Sequence, residues 1–181
     1  MYKRQRGYGE ALFLRAAANA HARADRVAAA GKLAQHADCL LYTSDAAAAL
    51  CALDDLIITA DTMVFLGNDR LGKPRDEEDA LRMLRALSGR AHTVCTGVSV
   101  RRGAQEERFA VSTRVFFRPM TDDEIRAYIK TGEPMDKAGA YGVQSRGALF
   151  VERIDGDFFN VMGLPVEQLG LVLARFGVKL L

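Results

Sequence analysis

The run Leu56-Ile-Ile-Thr-Ala-Asp-Thr-Met-Val-Phe-Leu66 constrains the fold of this chain more than any other stretch. It is almost continuously apolar and rich in residues that favour a pleated backbone, so it reads as a strand buried on both faces. Strands of that kind belong to sheets covered by helices on each side. Asp61 and Thr62 interrupt the run in its middle. A buried carboxylate is costly unless a partner satisfies it. The strand must therefore carry Asp61 to a cation, to amides at a strand end, or to the mouth of a site.

A length of 181 residues is enough for one domain with a substantial core and too short to expect two. The net charge of +2 gives no broad electrostatic case for nucleic acid or a membrane surface as partner. Apolar runs are broken well before the length of a membrane span. The opening MYKRQRGYGE is basic but is followed by no apolar stretch of the secretory type. The cysteines, Cys39, Cys51 and Cys95, include no CxxC pair, and His21, His36 and His92 are scattered. Neither a disulfide framework nor a zinc site is suggested, and a cytoplasmic location is expected.

Residues 1–52 differ in character from the rest. They are alanine-heavy, with AAANAHARADRVAAA and DAAAAL. The first block predicts a helix from Glu10 to Ala30 that ends at Gly31. This opening segment is read as atypical and as non-native sequence, ahead of a single domain over residues 53–181. From Leu56 onward the pattern is clear. Gly67-Asn-Asp69 is a turn after the first strand, and Arg70–Pro74 returns from it. Asp76 caps a helix whose buried face is Ala80, Leu81, Leu84 and Leu87. HTVCTGVSV and RFAVSTRVFF are strands separated by a polar turn. Thr121 and Glu124 make a capping box for a helix carrying Ile125, Tyr128 and Ile129. A glycine-rich loop, MDKAGAYGVQSRG, leads to a strand ALFVERI, a loop DGDFFNVMG, and a last helix that opens at Pro165. The fold class expected is α/β, a mixed sheet with flanking helices.

Two places carry chemistry on residue type alone. A hairpin centred near Asn68 sets Asp61 opposite the segment Lys73–Arg75, where facing Cβ atoms come within about 5 Å. This pairs a carboxylate with the Lys73 ammonium, either as a structural ion pair or at the mouth of a site. The stretch Gly72-Lys73-Pro74 is not a phosphate loop of the GxxxxGK[ST] type, because Pro74 takes the hydroxyl position. Lys73 still suits phosphate as a point charge. The loop with Gly139, Gly142 and Gly147 is the second place. Its glycines permit close approach to a ligand, Lys137 and Arg146 suit phosphate, and the Gln144 amide can read a base edge. Asp155 and Asp157 are read as turn residues rather than metal ligands.

These motifs resemble, in order and spacing, the Maf family of nucleoside triphosphate pyrophosphatases. The likeness rests on ADT, LGKP, LSGRAHTVCTGV, DKAGAYGVQ and NVMGLP, between about Leu56 and Gly177. It implies an α/β/α fold related to the inosine triphosphate pyrophosphatases. It also implies hydrolysis of a nucleoside triphosphate to the monophosphate and pyrophosphate with Mg²⁺ or Mn²⁺. By resemblance, Asp61 is the proton acceptor or holds the metal, Thr62 and Gln144 contact the base, and Lys73 and Lys137 line the phosphate site. The branch resembled acts on dTTP and UTP, and a homodimer is implied. The family's opening strand and SxSPRR loop have no counterpart here, the pattern being absent from the 181 residues. A second reading follows from that absence: a catalytically impaired nucleotide-binding or septum-related regulatory protein.

Overall fold

The computed structural model describes Lys3–Gly7, Glu10–Ala16, Ala52 and residues 54–181. The strands are β1 (Lys3–Gly7), β2 (Glu10–Ala16), β3 (Leu56–Leu66), β4 (Asp69–Leu71), β5 (Ala91–Arg102), β6 (Gln105–Phe117) and β7 (Val151–Asp155). Among the described residues they form one seven-stranded sheet in the order β1-β2-β3-β5-β6-β7, with β4 paired to β3. The helices are α1 (Glu77–Leu87), α2 (Asp122–Ile129), α3 (Phe158–Met162) and α4 (Val166–Arg175). The sheet is mixed, as expected: β2 runs parallel to β3, while β1–β2, β3–β4 and β6–β7 are antiparallel. No described helix is long and apolar enough to cross a membrane.

One expectation fails at the start of the chain. Glu10–Ala16 is a strand, not the first turns of a helix, and the remainder of the predicted helix lies outside the described residues. Leu12 to Ala16 pairs with Leu56 to Ala60, so backbone groups that a helix would satisfy internally are satisfied by β3 instead. A short apolar run such as Leu12-Phe-Leu14 has no period that separates the two states. The segment read as atypical thus contributes strands to the sheet, including one that precedes β3.

The chain divides into two compact units. The first takes the described residues up to Asp61, with Thr96–Val111 and Gly163–Leu181. Its core is Leu56, Ile58 and Ala60 of β3, Val98 and Val100 of β5, and Leu169, Val172, Leu173 and Phe176 of the last helix. The alternation in β3 and the spacing in α4 are those that bury one strand face and one helix stripe. Arg102 donates from Nη1 to the Phe176 carbonyl at 2.9 Å, and Arg175 pairs with Glu107, so the C-terminal end of this helix is tied down.

The second unit takes Thr62–Cys95 and Ser112–Met162. Its core gathers Val64 and Leu71 of the β3–β4 hairpin with Ala80, Leu81, Leu84 and Leu87 of α1 and Ile125, Tyr128 and Ile129 of α2. Both helices start as their sequences dictate. The Asp76 side chain accepts from the Asp79 amide at 2.8 Å, and Thr121 and Glu124 complete a reciprocal capping box. Arg118 reinforces the second cap and holds the Glu124 carboxyl down to about 2. ALFVERI starts as a single-turn helix over Arg146–Phe150, and its strand begins only at Val151. DGDFFNVMG contains the short helix α3, where a loop was expected. The β5–β6 turn is reduced to Gly103 and Ala104 because both strands extend into the polar segment.

An aromatic group fixes the glycine-rich loop to the sheet. Tyr141 of the loop packs edge-on to Phe117 of β6 and His92 of β5, with centroids 4.7 and 5.3 Å apart. Its hydroxyl lies 2.8 Å from His92 Nε2. Burial lowers the His92 imidazole to about 4, so the folded protein keeps it neutral. The loop also approaches itself at Gly147. A Cβ there would stand 2.5 Å from the Gly142 carbonyl oxygen and 2.8 Å from the Tyr128 hydroxyl.

Two stability measurements check these contacts. A histidine whose folded value is depressed contributes stability above its unfolded value and loses it as pH falls. For His92 that window runs from 6.5 down to about 4, a loss of about 3 kcal/mol in all. Denaturant titrations across this range should reveal the slope, and His92→Gln should remove it. Gly147→Ala should lower stability by about 2 kcal/mol or more through the clash at Gly142. Gly72→Ala, where a Cβ meets nothing within 4 Å, should stay within about 0.5 kcal/mol of wild type.

Candidate active site

Asp61 and Thr62 stand in β3 where its burial changes. Residues 56–60 are buried, whereas Asp61, Thr62 and Met63 are half-exposed before Val64 and Phe65 turn inward again. The carboxylate is therefore partly hydrated and avoids the full cost of burial. The pairing expected for it is not formed within the ladder. β4 pairs Leu66 with Asp69, Phe65 with Arg70 and Val64 with Leu71, and stops there. Pro74 has no N–H to donate, so the strand cannot extend to the positions opposite Asp61.

Lys73 and Lys137 are brought to one corner. The Gly139 amide donates to the Gly72 carbonyl at 2.9 Å, which joins the loop to the segment just after β4. Gly139 needs its left-handed φ of +70°, and a Cβ there would meet the Val64 side chain at 3.0 Å. Lys137 Nζ lies 2.5 Å from Asp136 Oδ1. The Asp136 carboxyl is held below its usual range by that hydrogen bond and, more weakly, by the charge of Lys73. Lys137 thus pairs with an exposed carboxylate on which the more distant Lys73 also acts through its charge. The local excess of positive charge suits a phosphate chain.

Gln144 is exposed, in a stretch of loop whose backbone is held on both sides. The Tyr128 hydroxyl accepts from the Gly142 amide at 3.1 Å and donates to Glu133 Oε1 at 2.9 Å. Glu133 Oε1 also accepts from the Gly147 amide at 3.1 Å, and Oε2 from the Arg146 amide at 3.2 Å. Burial pulls the Glu133 carboxyl upward, but the Gly147 amide and the Tyr128 hydroxyl outweigh it and keep the group ionised. Burial, reinforced by Glu133, pushes the Tyr128 hydroxyl well above its usual value, so it stays a donor. Neither residue stood out in sequence as part of a site. Tyr128 has the spacing of a core residue of α2, and Glu133 follows a helix-ending glycine. The available signal was an acid placed just outside a helix end and before a loop of small residues, whose free amides need acceptors.

Among the described residues no three His, Cys, Asp or Glu side chains are grouped to hold a metal. Asp157 accepts from the Phe159 amide at 2.7 Å and follows Gly156 at φ +125°, as turn residues do. A Mg²⁺ or Mn²⁺ ion would fit on a single carboxylate such as Asp61 together with phosphate oxygens, the usual arrangement for hard cations carried by nucleotides.

Comparison with known proteins agrees with the arrangement. The family model of Maf-like proteins matches residues 9–176. A dTTP/UTP pyrophosphatase of Bacillus velezensis is 52% identical over 126 residues, which is 70% of this chain and 67% of the relative. One from Dictyoglomus turgidum is 49% identical over 128 residues, 70% of this chain and 66% of the relative. One from Thermococcus kodakarensis is 56% identical over 111 residues, 61% of this chain and 59% of the relative. The matches span 59% to 67% of the length of these curated relatives. A family match that runs nearly from end to end, over a sheet and loop built as described, means that the chain belongs to the Maf-like protein family.

Proposed function

We propose that the chain hydrolyses nucleoside triphosphates, dTTP and UTP in particular, to the nucleoside monophosphate and pyrophosphate. The observation that carries this reading is the likeness to relatives named dTTP/UTP pyrophosphatase, 52% and 49% identical over 70% of the chain. The paired ammonium groups of Lys73 and Lys137 support it, because a triphosphate needs its charge neutralised before a nucleophile can approach.

In this reading Asp61 accepts the proton of a water that attacks the α-phosphorus. The new bond joins the water oxygen to that phosphorus. The bond to the oxygen bridging the α and β phosphates breaks, and pyrophosphate leaves with the electron pair. Asp61 is also the residue that would hold a Mg²⁺ or Mn²⁺ ion, which would supply positive charge at the reacting centre. Lys73 and Lys137 hold the β and γ phosphates, displacing Asp136 from Lys137. Thr62 and Gln144 contact the pyrimidine, the Gln144 amide offering both a donor and an acceptor. A homodimer and a cytoplasmic setting go with this reading, supported by family membership and by a cysteine pattern without disulfide spacing. The net charge of +2 favours a small nucleotide over nucleic acid as partner.

Pyrophosphate release from dTTP and UTP with Mg²⁺ or Mn²⁺ is the deciding assay. Asp61→Asn should lower kcat by about 10²-fold or more while leaving the unfolding midpoint close to wild type. Thermal stabilisation by dTTP without any pyrophosphate release would overturn the enzyme reading in favour of a nucleotide-binding module. Lys73→Ala and Lys137→Ala should each reduce kcat/KM by about tenfold or more, through loss of a charged contact to phosphate. Equal kcat/KM in both variants and wild type would remove these lysines from the site.

A further inference from the structure

Besides the Tyr141 aromatic contacts, the glycine-rich loop is held by two separate sets of hydrogen bonds, and they hold different parts of it. The Gly139 amide on the Gly72 carbonyl fixes the part that carries Lys137. The Tyr128–Glu133 pair fixes the part that carries Gln144. Its three captured amides belong to Gly142, Arg146 and Gly147, and they bracket Gln144 on both sides. The absence of a side chain at Gly147 lets the chain come back against Gly142, which closes residues 142–147 into a small loop with Gln144 near its tip. Tyr128 is 4% exposed and fixed in the core, so the closed loop is referred to a rigid element of the fold.

We infer that Tyr128 and Glu133 are positioning residues for nucleotide discrimination: they hold the Gln144 segment, through the amides of Gly142, Arg146 and Gly147, at the register needed to read the base. The inference rests on the function proposed above, because Gln144 is given a base to read only there. It separates two quantities that a general destabilisation would move together. Base discrimination depends on the Tyr128–Glu133 clamp. The grip on the phosphates depends instead on the Gly72–Gly139 bond and the lysines.

The test uses the full chain and the variants Glu133→Ala, Glu133→Gln and Tyr128→Phe. For each, kcat/KM is measured with dTTP and dGTP, alongside the inhibition constant of inorganic pyrophosphate. Amide hydrogen exchange is followed at Gly142, Arg146, Gly147 and Gly139. Glu133→Ala should lower the dTTP-over-dGTP ratio by about tenfold, the cost of one lost hydrogen-bond network member, with pyrophosphate inhibition unchanged. Its amides at 142, 146 and 147 should exchange faster while that of Gly139 stays protected. Glu133→Gln keeps a carbonyl acceptor and should recover part of the ratio. Tyr128→Phe should release mainly the Gly142 amide. Parallel loss for both nucleotides, or weakened pyrophosphate inhibition in step with the rate, would overturn the inference and leave the proposed function standing. So would unchanged exchange at the three amides in both Glu133 variants. Absence of pyrophosphate release from any nucleotide by the wild-type chain would instead overturn the proposed function, and the role in discrimination with it.

Discussion

The Tyr128 hydroxyl lies where the end of α2, the Glu133 carboxylate and the glycine-rich loop meet, and much of the second unit is arranged around it. A phenol buried this deeply must satisfy its oxygen, and here it both donates and accepts. Glu133 is in turn committed to amides that the loop cannot satisfy internally, because the loop has no regular ladder. The result is a segment with little regular structure that nevertheless has one arrangement. The same Tyr128 ring packs edge-on to Phe150 at 5.1 Å, which carries the constraint on to the start of β7. Loops built this way place functional side chains well, since the scaffold pays no entropy again when ligand arrives.

Charge is distributed with comparable economy. Asp79 is buried at the start of α1, yet it receives Arg75 and Arg82, and its carboxyl is lowered by the Arg82 hydrogen bond first of all. That carboxylate is structural, and the side chains of its partners Arg75 and Arg82 lie on the surface. Asp136 is the opposite case. It is exposed and paired with Lys137, so the pair can open at little desolvation cost. The contrast separates an acid that stabilises a helix start from one that sits exposed beside lysine side chains.

Much of the architecture was legible because its signals are local. The capping box at Thr121 and Glu124, the Asp76 cap, the apolar run of β3 and the spacing of Leu169, Leu173 and Phe176 each depend on near neighbours in sequence. The misreadings share a cause too. Glu10–Ala16 was expected to be helical, because alanine-rich sequence after it has high helix propensity; pairing with β3 prevails where it is available. Asp61 was expected opposite the segment Lys73–Arg75 in a continuing hairpin; the register agrees, but the paired ladder itself stops at Leu71. The order of motifs from ADT to NVMGLP pointed to the right family, while the way Lys73 and Lys137 meet did not come from the hairpin at all.

By itself, the sequence determined which residues must be buried, where the helices begin, and which side chains could neutralise a phosphate chain or read a base. These follow from residue chemistry and from periods of two and 3.6 that any short segment displays. Only the tertiary structure decided how those side chains are held. The Gly139–Gly72 bond, the placement of Tyr141 on His92 and Phe117, and the capture of three loop amides by Tyr128 and Glu133 join residues far apart in the chain. Their geometry depends on the packing of whole elements against one core, and no local pattern encodes a distance of that kind.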